Sequence, residues 1–413
     1  VEAVGKNMRI SRIKQLLEQA QYEKPKVEEL AQRVALWFVL AVLSIAAMVW
    51  LFWHFTQAEL ALAITLSVLV VSCPCALSLA TPTAITAATN ALRQYGLLVT
   101  RRTVWETMPL LKHVIFDKTG TLTHGRIKVE EVEVAGNVDE QQCLGIAAAL
   151  ERGSSHPMAS AFAGYDIGLQ VSSLHNETGQ GVQAVVDGGL YRLGGVSFVA
   201  GICNVPAQEK AQNCVLLTNQ HGLLARFKLR DELRPEAAAV IRQLQDNNLS
   251  VHLLSGDASG AAADVAAQLG ISHVIEGAQP QDKLDYVQTL QGTKQEKVMM
   301  VGDGINDIPV LATADVSLAM LDASDLAKTS ADCILLTPSL AILPALFEKA
   351  SQTSKTIRQN LLWALLYNAS AIPLAALGFV PPYLAAIGMS ASSIIVVANS
   401  LRLWPRRGND GKR

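Results

Sequence analysis

The amino-acid sequence predicts a protein that combines α-helical membrane spans with a soluble α/β part. Half of its 413 residues are hydrophobic and only 17% are charged, whereas soluble domains typically have about 25% charged residues. The most apolar residues form two blocks, at 34–92 and 361–401. Between these blocks, short β-branched runs alternate with helical stretches, which is typical of a doubly wound parallel sheet.

Charge and cysteine content exclude several other classes of protein. A net charge of −2 gives no support for nucleic-acid binding, which usually needs a basic face. Six cysteines in a chain of this length do not form the disulfide framework of a small secreted domain. The sequence starts with Val1 and has no signal-peptide pattern, so we expect a piece of a longer protein.

The two apolar blocks predict two membrane hairpins. Each predicted helix is close to the ~20 residues that span the hydrocarbon core, which argues against the alternative of buried soluble hairpins. The turns at 56–59 and 380–383 lack Lys and Arg, whereas the flanking segments are basic. The positive-inside rule therefore predicts a multi-pass protein of the cytoplasmic membrane with its soluble parts in the cytoplasm. The four predicted spans are Val34–Phe55, Leu60–Leu79, Leu361–Val380 and Tyr383–Leu401.

The segment from 105 to 357 predicts two soluble domains, one inserted into the other. Apolar strands such as Val298–Val301 alternate with helices such as Pro235–Asp246, but residues 130–225 break this rhythm. That stretch is rich in Gly and Val and contains a hairpin at 182–193, so we expect an inserted α+β domain. The predicted segments are a helix at 1–32, two spans with a cytoplasmic extension at 33–104, the sheet domain at 105–129 and 226–357, the insertion at 130–225, and two spans with a basic tail at 358–413.

The motif with the strongest chemical signal begins at Asp117. The string Asp-Lys-Thr-Gly-Thr-Leu-Thr directly follows the apolar strand Val114–Phe116. Ligands of open α/β sheets bind at the carboxyl ends of the strands, and a carboxylate there can attack a phosphoryl group to form an aspartyl-phosphate. A capped turn that arose by chance is the alternative, but it does not explain seven such residues after a strand.

Three further segments supply the partners that such an aspartate needs. The loop Gly302–Asp307 contains Asp303 and follows a strand; its carboxylates suit Mg²⁺, which prefers oxygen ligands and bridges to phosphate. The hydroxyl of Ser255 and the amides up to Asp257 suit phosphoryl oxygens, and Lys283 suits the phosphate charge. Each segment alone is an ordinary strand end, but their succession predicts one phosphoryl-transfer site.

These residues resemble those of the P-type ATPases, and within them the heavy-metal pumps, over about 4–403. The resemblance implies a haloacid-dehalogenase-like, doubly wound phosphorylation domain with an inserted α+β nucleotide-binding domain. It also implies that ATP phosphorylates Asp117, and that this side chain, Asp303 and the backbone carbonyl of Thr119 hold Mg²⁺. Ser255 keeps the hydroxyl of the family's usual threonine, so we expect the catalytic set to be retained.

The same resemblance implies an adenine site in the inserted domain. Glu151 and His156 have the spacing of the pair that binds adenine in the metal pumps, although a His-Pro pair alone is weak evidence. Gly179 and Gly181 resemble the family's Gly-x-Gly, where the backbone comes close to the nucleotide. The family's Gly-Asn pair corresponds to positions 194–195, where this chain has two glycines. One nucleotide contact is therefore expected to differ.

A metal site is predicted inside the second span, where Pro74 separates Cys73 from Cys75. Proline removes a backbone hydrogen bond and opens the helix, and two thiols beside the opening suit a soft ion. The alternative is a pair of buried cysteines that only pack. In the family that the chain resembles, Cys-Pro-Cys is the hallmark of transition-metal transport.

The last two spans favour copper(I) as the transported metal. Zinc-class pumps usually carry an intramembrane lysine and aspartate, and the sequence has neither between 361 and 401. Thioether and thiolate ligands fit a soft monovalent ion, although each matching residue alone could equally serve helix packing. Four residues match those that accompany the two cysteines in the copper(I) class: Tyr367, Asn368, Met389 and Ser393.

The sequence therefore predicts an ATP-driven copper(I) exporter, with a copper chaperone and the lipid membrane as partners. It contains no Thr-Gly-Glu, whose glutamate hydrolyses the aspartyl-phosphate in the family's actuator domain. We therefore expect the carboxyl-terminal part of such a pump, with 1–32 as the end of the actuator linker. A pump for zinc or another divalent ion is one alternative, and a truncated product that binds nucleotide and metal without transport is another. Residues 96–101 resemble pumps that supply copper for oxidase assembly, but the sequence leaves detoxification equally open.

Overall fold

The computed structural model describes residues 26–135, 138–152, 154, 158–177, 180–200, 214–257, 260–293, 295–303 and 307–404. Residues 1–25 of the helix predicted at 1–32 lie outside the described residues. In the described part, the α-helices are α1 (Lys26–Thr56), α2 (Ala58–Val71), α3 (Cys75–Gln94), α4 (Val104–Thr107), α5 (Glu140–Leu150), α6 (Ala159–Phe162), α7 (Val196–Val199), α8 (Ala237–Asp246), α9 (Ala261–Leu269), α10 (Pro280–Thr293), α11 (Ile308–Thr313), α12 (Asp325–Ser330), α13 (Leu343–Ala376) and α14 (Pro382–Leu401).

The strands of the described part form two separate sheets, one with seven strands and one with six. Short 3₁₀ turns lie at Met108–Leu110, Ala163–Tyr165 and Leu340–Ile342. The strands are β1 (Leu97–Val99), β2 (Leu111–Asp117), β3 (Thr123–Val134), β4 (Val171–Glu177), β5 (Gly181–Val186), β6 (Gly189–Gly194), β7 (Cys214–Asn219), β8 (Gly222–Leu233), β9 (Ser250–Leu254), β10 (His273–Ile275), β11 (Lys297–Gly302), β12 (Val316–Ala319) and β13 (Cys333–Leu335).

Three helical segments of the described part are long and apolar enough to cross a membrane: Trp37–Thr56 in α1, Ala58–Gln94 across α2 and α3, and Pro382–Leu401, which is α14. These correspond to three of the four predicted spans. The fourth, predicted at 361–380, is the second half of α13, which packs against α2, α3 and α14. This helix already ends at Ala376, and the polar pair Gln359 and Asn360 precedes its apolar stretch. The helical part of the fourth predicted span is therefore shorter than the sequence predicts.

The second predicted span is interrupted where the proline lies. The backbone N–H of Ser72 donates to the carbonyl of Val68, and that of Cys73 reaches the carbonyl of Val70 at 3.4 Å. Pro74 has no N–H to continue the ladder, so α2 ends before it and α3 begins at Cys75. The helix opens at the position that the sequence predicts.

The seven-stranded sheet is the doubly wound domain. Its order is β1-β13-β12-β11-β2-β9-β10, and all neighbouring strands are parallel except β1 against β13. Phe116 belongs to the core on one face together with α8 and α9, and Ile115 to the core on the other face with α10, α11 and α12. Because both faces are covered, its strands are mainly apolar, and the predicted fold class is confirmed.

The six-stranded sheet is the inserted domain, with the antiparallel order β3-β8-β7-β6-β5-β4. Its core is separate and contains Phe162 and Phe227, whose rings meet edge to face with centroids 5.0 Å apart. The chain enters through β3 and returns through β8, and these two strands pair with each other along the connection. The separate sheet domain that the sequence predicts is confirmed.

A short strand ties the membrane helix α3 to the seven-stranded sheet. Only Tyr95 and Gly96 separate α3 from β1, which pairs with β13 at the sheet edge. The hydroxyl of Thr100 then donates to the carbonyl of Ala331 at 2.8 Å. A guanidinium nitrogen of Arg101 lies 3.2 Å from the carboxylate of Asp332. The helix that begins at the Cys-Pro-Cys motif is thereby fixed to the soluble domain.

Candidate active site

Asp117 lies at the carboxyl end of the central strand β2. Its neighbours in the sheet are β11 and β9, so the loops that follow these two strands lie on either side of it. Asp303 follows β11, and Ser255 and Asp257 follow β9. Because parallel strands end at one edge of the sheet, the topology brings these predicted site residues together.

Three carboxylates and one ammonium group form the centre of the site. One carboxylate oxygen from each of Asp117, Asp303 and Asp307 lies within 4.8 Å of the corresponding oxygens of the other two residues. The Nζ atom of Lys283, on α10, lies 2.5 Å from Asp117 Oδ1 and 2.8 Å from Asp307 Oδ1. With all four groups ionised, the cluster carries a charge of about −2, so a divalent cation held by carboxylate oxygens would neutralise it. The donor set therefore fits Mg²⁺.

Burial, and then the crowding of negative charge, raises the pKa values of two carboxyl groups. Burial, then the charge of Asp307, raises the pKa of Asp117 to about 6, against the lowering effect of Lys283. Burial, then the charges of Asp117 and Asp307, raises the pKa of Asp303 to about 7. Burial opposes the charge of Lys283, but the two aspartates outweigh it and raise the pKa of its ammonium group. The lysine therefore stays cationic beside the candidate nucleophile.

The loop after β9 is held by a second ion pair. Lys118 Nζ lies 2.5 Å from a carboxylate oxygen of Asp257, and the backbone N–H of Asp257 donates to the hydroxyl of buried Ser255 at 3.1 Å. The two predicted residues of this loop are therefore fixed beside the residue that follows the nucleophile.

A glycine allows the loop after β2 to touch the loop after β11. Gly120 has a φ of +72°, and a Cβ atom there would lie 1.7 Å from a carboxylate oxygen of Asp303. Thr119, whose carbonyl is a predicted Mg²⁺ ligand, is extended with φ −75° and ψ 130°. Only glycine fits at position 120, where φ is positive and the carboxylate of Asp303 lies so close.

Sequence reasoning missed the residues that support this loop from behind. Arg234 is buried and donates to the carbonyls of Thr121 at 2.7 Å, Gly120 at 2.8 Å and Pro338. The hydroxyl of Thr123 donates to a carboxylate oxygen of Asp231 at 2.5 Å. The available signal was an aspartate and an arginine three residues apart, Asp231 and Arg234, where β8 returns to the sheet domain.

The nucleotide site is described only in part. His156 and Gly179 lie outside the described residues. Glu151 is buried at the end of α5, and its Oε2 atom has no hydrogen-bond partner among the described residues, so one acceptor is available for a ligand N–H donor. A Cβ atom on Gly181 would lie 2.4 Å from the carbonyl oxygen of Leu193, so the strand pairing itself requires this glycine.

The membrane cysteines differ from the sequence prediction in their redox state. The prediction has two thiols at the helix break, but the structure joins Cys73 and Cys75 in a disulfide. Their Cα atoms are 5.4 Å apart across Pro74, which lies within the usual range for a disulfide. In this oxidised form neither sulfur is a thiolate, so metal binding by these residues first requires reduction.

The other four predicted copper ligands lie on α13 and α14, which both pack against α3. The hydroxyl of Tyr367 reaches the helix that carries Met389, because it lies 2.8 Å from where a Cβ atom of Gly388 would be. Asn368 is buried, and its Oδ1 atom has no partner within the described part of the chain. The hydroxyl of Ser393 donates to the carbonyl of Met389 at 3.2 Å, so its proton is already used within α14.

An acidic trio and a lysine at the carboxyl edge of a parallel sheet define a haloacid-dehalogenase-like phosphoryl-transfer domain. The family model described as "haloacid dehalogenase-like hydrolase" matches residues 111–315. A zinc-transporting PIB-type ATPase solved in its E2.Pi state is 30% identical, with a TM-score of 0.78 over 98% of this chain and 69% of that chain. The chain belongs to the heavy-metal P-type ATPases.

Two curated relatives extend this comparison. "Probable copper-exporting P-type ATPase V" of Mycobacterium tuberculosis is 37% identical over 99% of this chain and 55% of its own length. "Copper-exporting P-type ATPase" of Staphylococcus haemolyticus is 35% identical over 97% of this chain and 52% of its own length. The chain therefore spans about half the length of the curated relatives that it matches.

Proposed function

We propose that the protein acts in ATP-driven export of copper(I) across the cytoplasmic membrane, through an aspartyl-phosphate at Asp117. The observation that carries this proposal is the ion pair of Asp117 with Lys283 at 2.5 Å, inside the cluster with Asp303 and Asp307. It supports a nucleophilic carboxylate that is buried, held in one orientation and surrounded by groups suited to a phosphoryl ligand.

The phosphorylation step follows from these positions. A carboxylate oxygen of Asp117 attacks the γ-phosphorus of ATP, the bond from that phosphorus to the bridging oxygen breaks, and ADP leaves with the electron pair. Lys283 holds the attacking carboxylate and offsets the charge that arrives with the phosphoryl group. Asp117, Asp303 and the Thr119 carbonyl would hold Mg²⁺, which would supply charge neutralisation and phosphate positioning. Water later attacks the phosphoryl group, which regenerates the carboxylate and releases inorganic phosphate.

The inserted domain supplies the nucleotide in this proposal. The unpartnered carboxylate oxygen of Glu151 is suited to accept a hydrogen bond from the exocyclic amino group of adenine. His156, Gly179 and Gly181 complete the proposed pocket by resemblance to the family. Because β3 and β8 join the two domains side by side, a bend along this pair of strands would bring the nucleotide towards Asp117.

Copper(I) is the proposed cargo because the donors at the helix break are soft. After reduction, Cys73 and Cys75 provide two thiolates, and Met389 adds a thioether on a helix that packs against α3. The orphan oxygen of Asn368 and the hydroxyl of Tyr367 lie on the third helix of this group. A copper chaperone is the proposed donor of the ion.

Zinc or another divalent ion is the second candidate cargo, because the solved zinc-transporting pump has the same fold over 98% of this chain. The absence of Lys and Asp between 361 and 401 argues for copper. A third candidate is a product that binds nucleotide and metal without completing transport.

The proposal is tested by incubating membranes that contain the protein with radiolabelled ATP and Mg²⁺ in the presence of a reductant. We expect an acid-stable adduct that hydroxylamine releases, that Asp117→Asn abolishes, and that the control Asp315→Asn retains. Asp315 is a matched control because it pairs with Lys297 at 2.6 Å, away from the trio. Label retained in Asp117→Asn would refute the nucleophile.

Two measurements separate the candidate cargoes. In X-ray absorption of the reduced protein loaded with Cu(I), copper–sulfur scattering that a Cys73→Ser, Cys75→Ser variant loses supports copper, and preferential binding of Zn²⁺ supports the second candidate. Copper-stimulated turnover of ATP distinguishes a transporting protein from one that only binds nucleotide and metal.

A further inference from the structure

A chain of polar side chains crosses the buried face of the sheet below Asp117. His113, on β2, and His252, on β9, are both almost fully buried, and their facing ring nitrogens lie 2.9 Å apart. The other nitrogen of His113 lies 2.7 Å from a carboxylate oxygen of Glu296, which precedes β11. The other nitrogen of His252 lies 2.8 Å from the hydroxyl of Tyr286, on α10. The chain therefore links three strands to one helix.

The carboxylate at one end fixes the direction of every hydrogen bond in the neutral chain. Glu296 can only accept, so His113 donates through Nε2 and its Nδ1 must accept. His252 then donates through Nε2 and accepts at Nδ1, and the hydroxyl of Tyr286 is the donor that satisfies it. Burial raises the pKa of Tyr286, which keeps the hydroxyl protonated at neutral pH. Removing this hydroxyl would take away the donor that faces Nδ1 of His252.

The chain and the phosphorylation site share the same two elements. On β2, His113 and Asp117 are four residues apart and therefore face the same side of the sheet. On α10, Lys283 and Tyr286 are three residues apart and therefore lie on the same face of the helix. Helix α10 is thus joined to the rest of the sheet domain at three polar points: Lys283 to Asp117, Tyr286 to His252, and Gln291 to Asp315.

Apolar packing alone does not explain the second polar point. Val287 and Leu290 of α10 are already buried against Ile115 and its neighbours, and such contacts permit sliding along the sheet. A satisfied polar chain admits one arrangement, because any displacement leaves a buried donor or acceptor unpaired. The bond of Tyr286 to His252 therefore restricts where the part of α10 next to Lys283 can lie.

We propose that Tyr286 is a positioning residue, which holds α10 through His252 and His113 so that Lys283 meets Asp117 and Asp307. The proposal deepens the proposed function, since the phosphorylation rate would depend on a residue that does not touch the phosphoryl group. The unphosphorylated structure already holds Lys283 against Asp117 and Asp307, so the exposure of this lysine can be measured without ATP.

The first test measures how fast an acylating reagent labels Lys283 in the full chain, followed by peptide mass spectrometry. Tyr286→Phe keeps the ring and removes the hydroxyl, so we expect labelling to be about threefold to tenfold faster. The control Thr289→Ala removes a hydroxyl from the exposed side of the same helix, where Thr289 bonds only within α10, and should leave the labelling rate unchanged. Equal labelling in wild type and Tyr286→Phe would overturn the proposal.

The second test measures phosphorylation in a single turnover. We expect Tyr286→Phe to lower the rate constant by about threefold to tenfold, with the phosphorylated fraction and the half-saturating ATP concentration unchanged. A Lys283→Arg background should abolish the effect of Tyr286→Phe if the tyrosine acts through the lysine. A lower phosphorylated fraction at an unchanged rate constant, or additive effects in the double variant, would show a merely structural role. Failure of the wild type to label would refute the proposed function, while the acylation test would still decide the role of Tyr286.

Discussion

Binding of Mg²⁺ to the carboxylate trio should release protons, because two of the three carboxyl groups have raised pKa values. The perturbation is the addition of Mg²⁺ to the metal-free protein. The pKa of Asp303 is raised to about 7 and that of Asp117 to about 6. A divalent ion binds the ionised carboxylates, so each proton present before binding must leave.

The expected number of protons follows from these pKa values. At about pH 6.5 the protonated fraction is about 0.76 for Asp303 and about 0.24 for Asp117, so binding releases about one proton. At about pH 8 the two fractions together fall to about 0.1. Because protons compete with the metal, the apparent affinity should be about 20-fold weaker at about pH 6 than at about pH 8. The apparent affinity for Mg²⁺ should therefore rise with pH and level off above the higher of the two pKa values.

Titration calorimetry in two buffers with different ionisation enthalpies measures this release directly. Asp303→Asn should reduce it at about pH 6.5 to about a quarter of a proton, whereas the control Asp315→Asn should leave it unchanged. Release of less than about 0.2 proton at about pH 6.5, or equal affinity at both pH values, would refute the argument that burial and mutual repulsion raise these pKa values.

Three further outcomes are expected. Gly120→Ala should abolish phosphorylation while the fold is retained, because the new methyl group would overlap the Asp303 carboxylate; circular dichroism and the labelling assay check this pair of results. Arg234→Met should destabilise the sheet domain by about 3 kcal/mol, since three carbonyl acceptors lose a charged donor, and lower its thermal midpoint by roughly 6–12 °C; an unchanged midpoint would contradict this. Reduction of the Cys73–Cys75 disulfide should be required for Cu(I) binding, so that an equilibrium titration shows binding by the wild type only after a reductant is added.

The sequence predicted the sheet domain well because each of its strands is locally marked. The strand expected at 251–254 is observed as Ser250–Leu254, and the one at 316–319 is observed with the same bounds. Each site residue that follows such a strand was predictable, because residues that follow parallel strands lie together at the carboxyl edge of the sheet. Asp117 and Asp303 are examples.

Contacts between segments distant in sequence were not predictable in this way. Arg234 reaches the carbonyls of Thr121 and Pro338, which are more than a hundred positions away from it in opposite directions. No periodicity marks such a contact. The end of α13 at Ala376 was missed because an apolar run continues past the residue where the helix stops. The disulfide was missed because the spacing of Cys73 and Cys75 is compatible with both thiols and a disulfide.

Because β1 joins α3 to the edge of the seven-stranded sheet, a tilt of the sheet would displace the far end of α3. Twenty helical residues separate the tie at β1 from Cys75, a length of about 30 Å. A tilt of the sheet by about 5° would therefore move the start of α3 by about 2.6 Å. That displacement exceeds the whole length of a copper–sulfur or zinc–sulfur bond, about 2.3 Å. A rotation of this size is thus enough to change the distances between the residues that are proposed to bind the metal at the break beside Pro74.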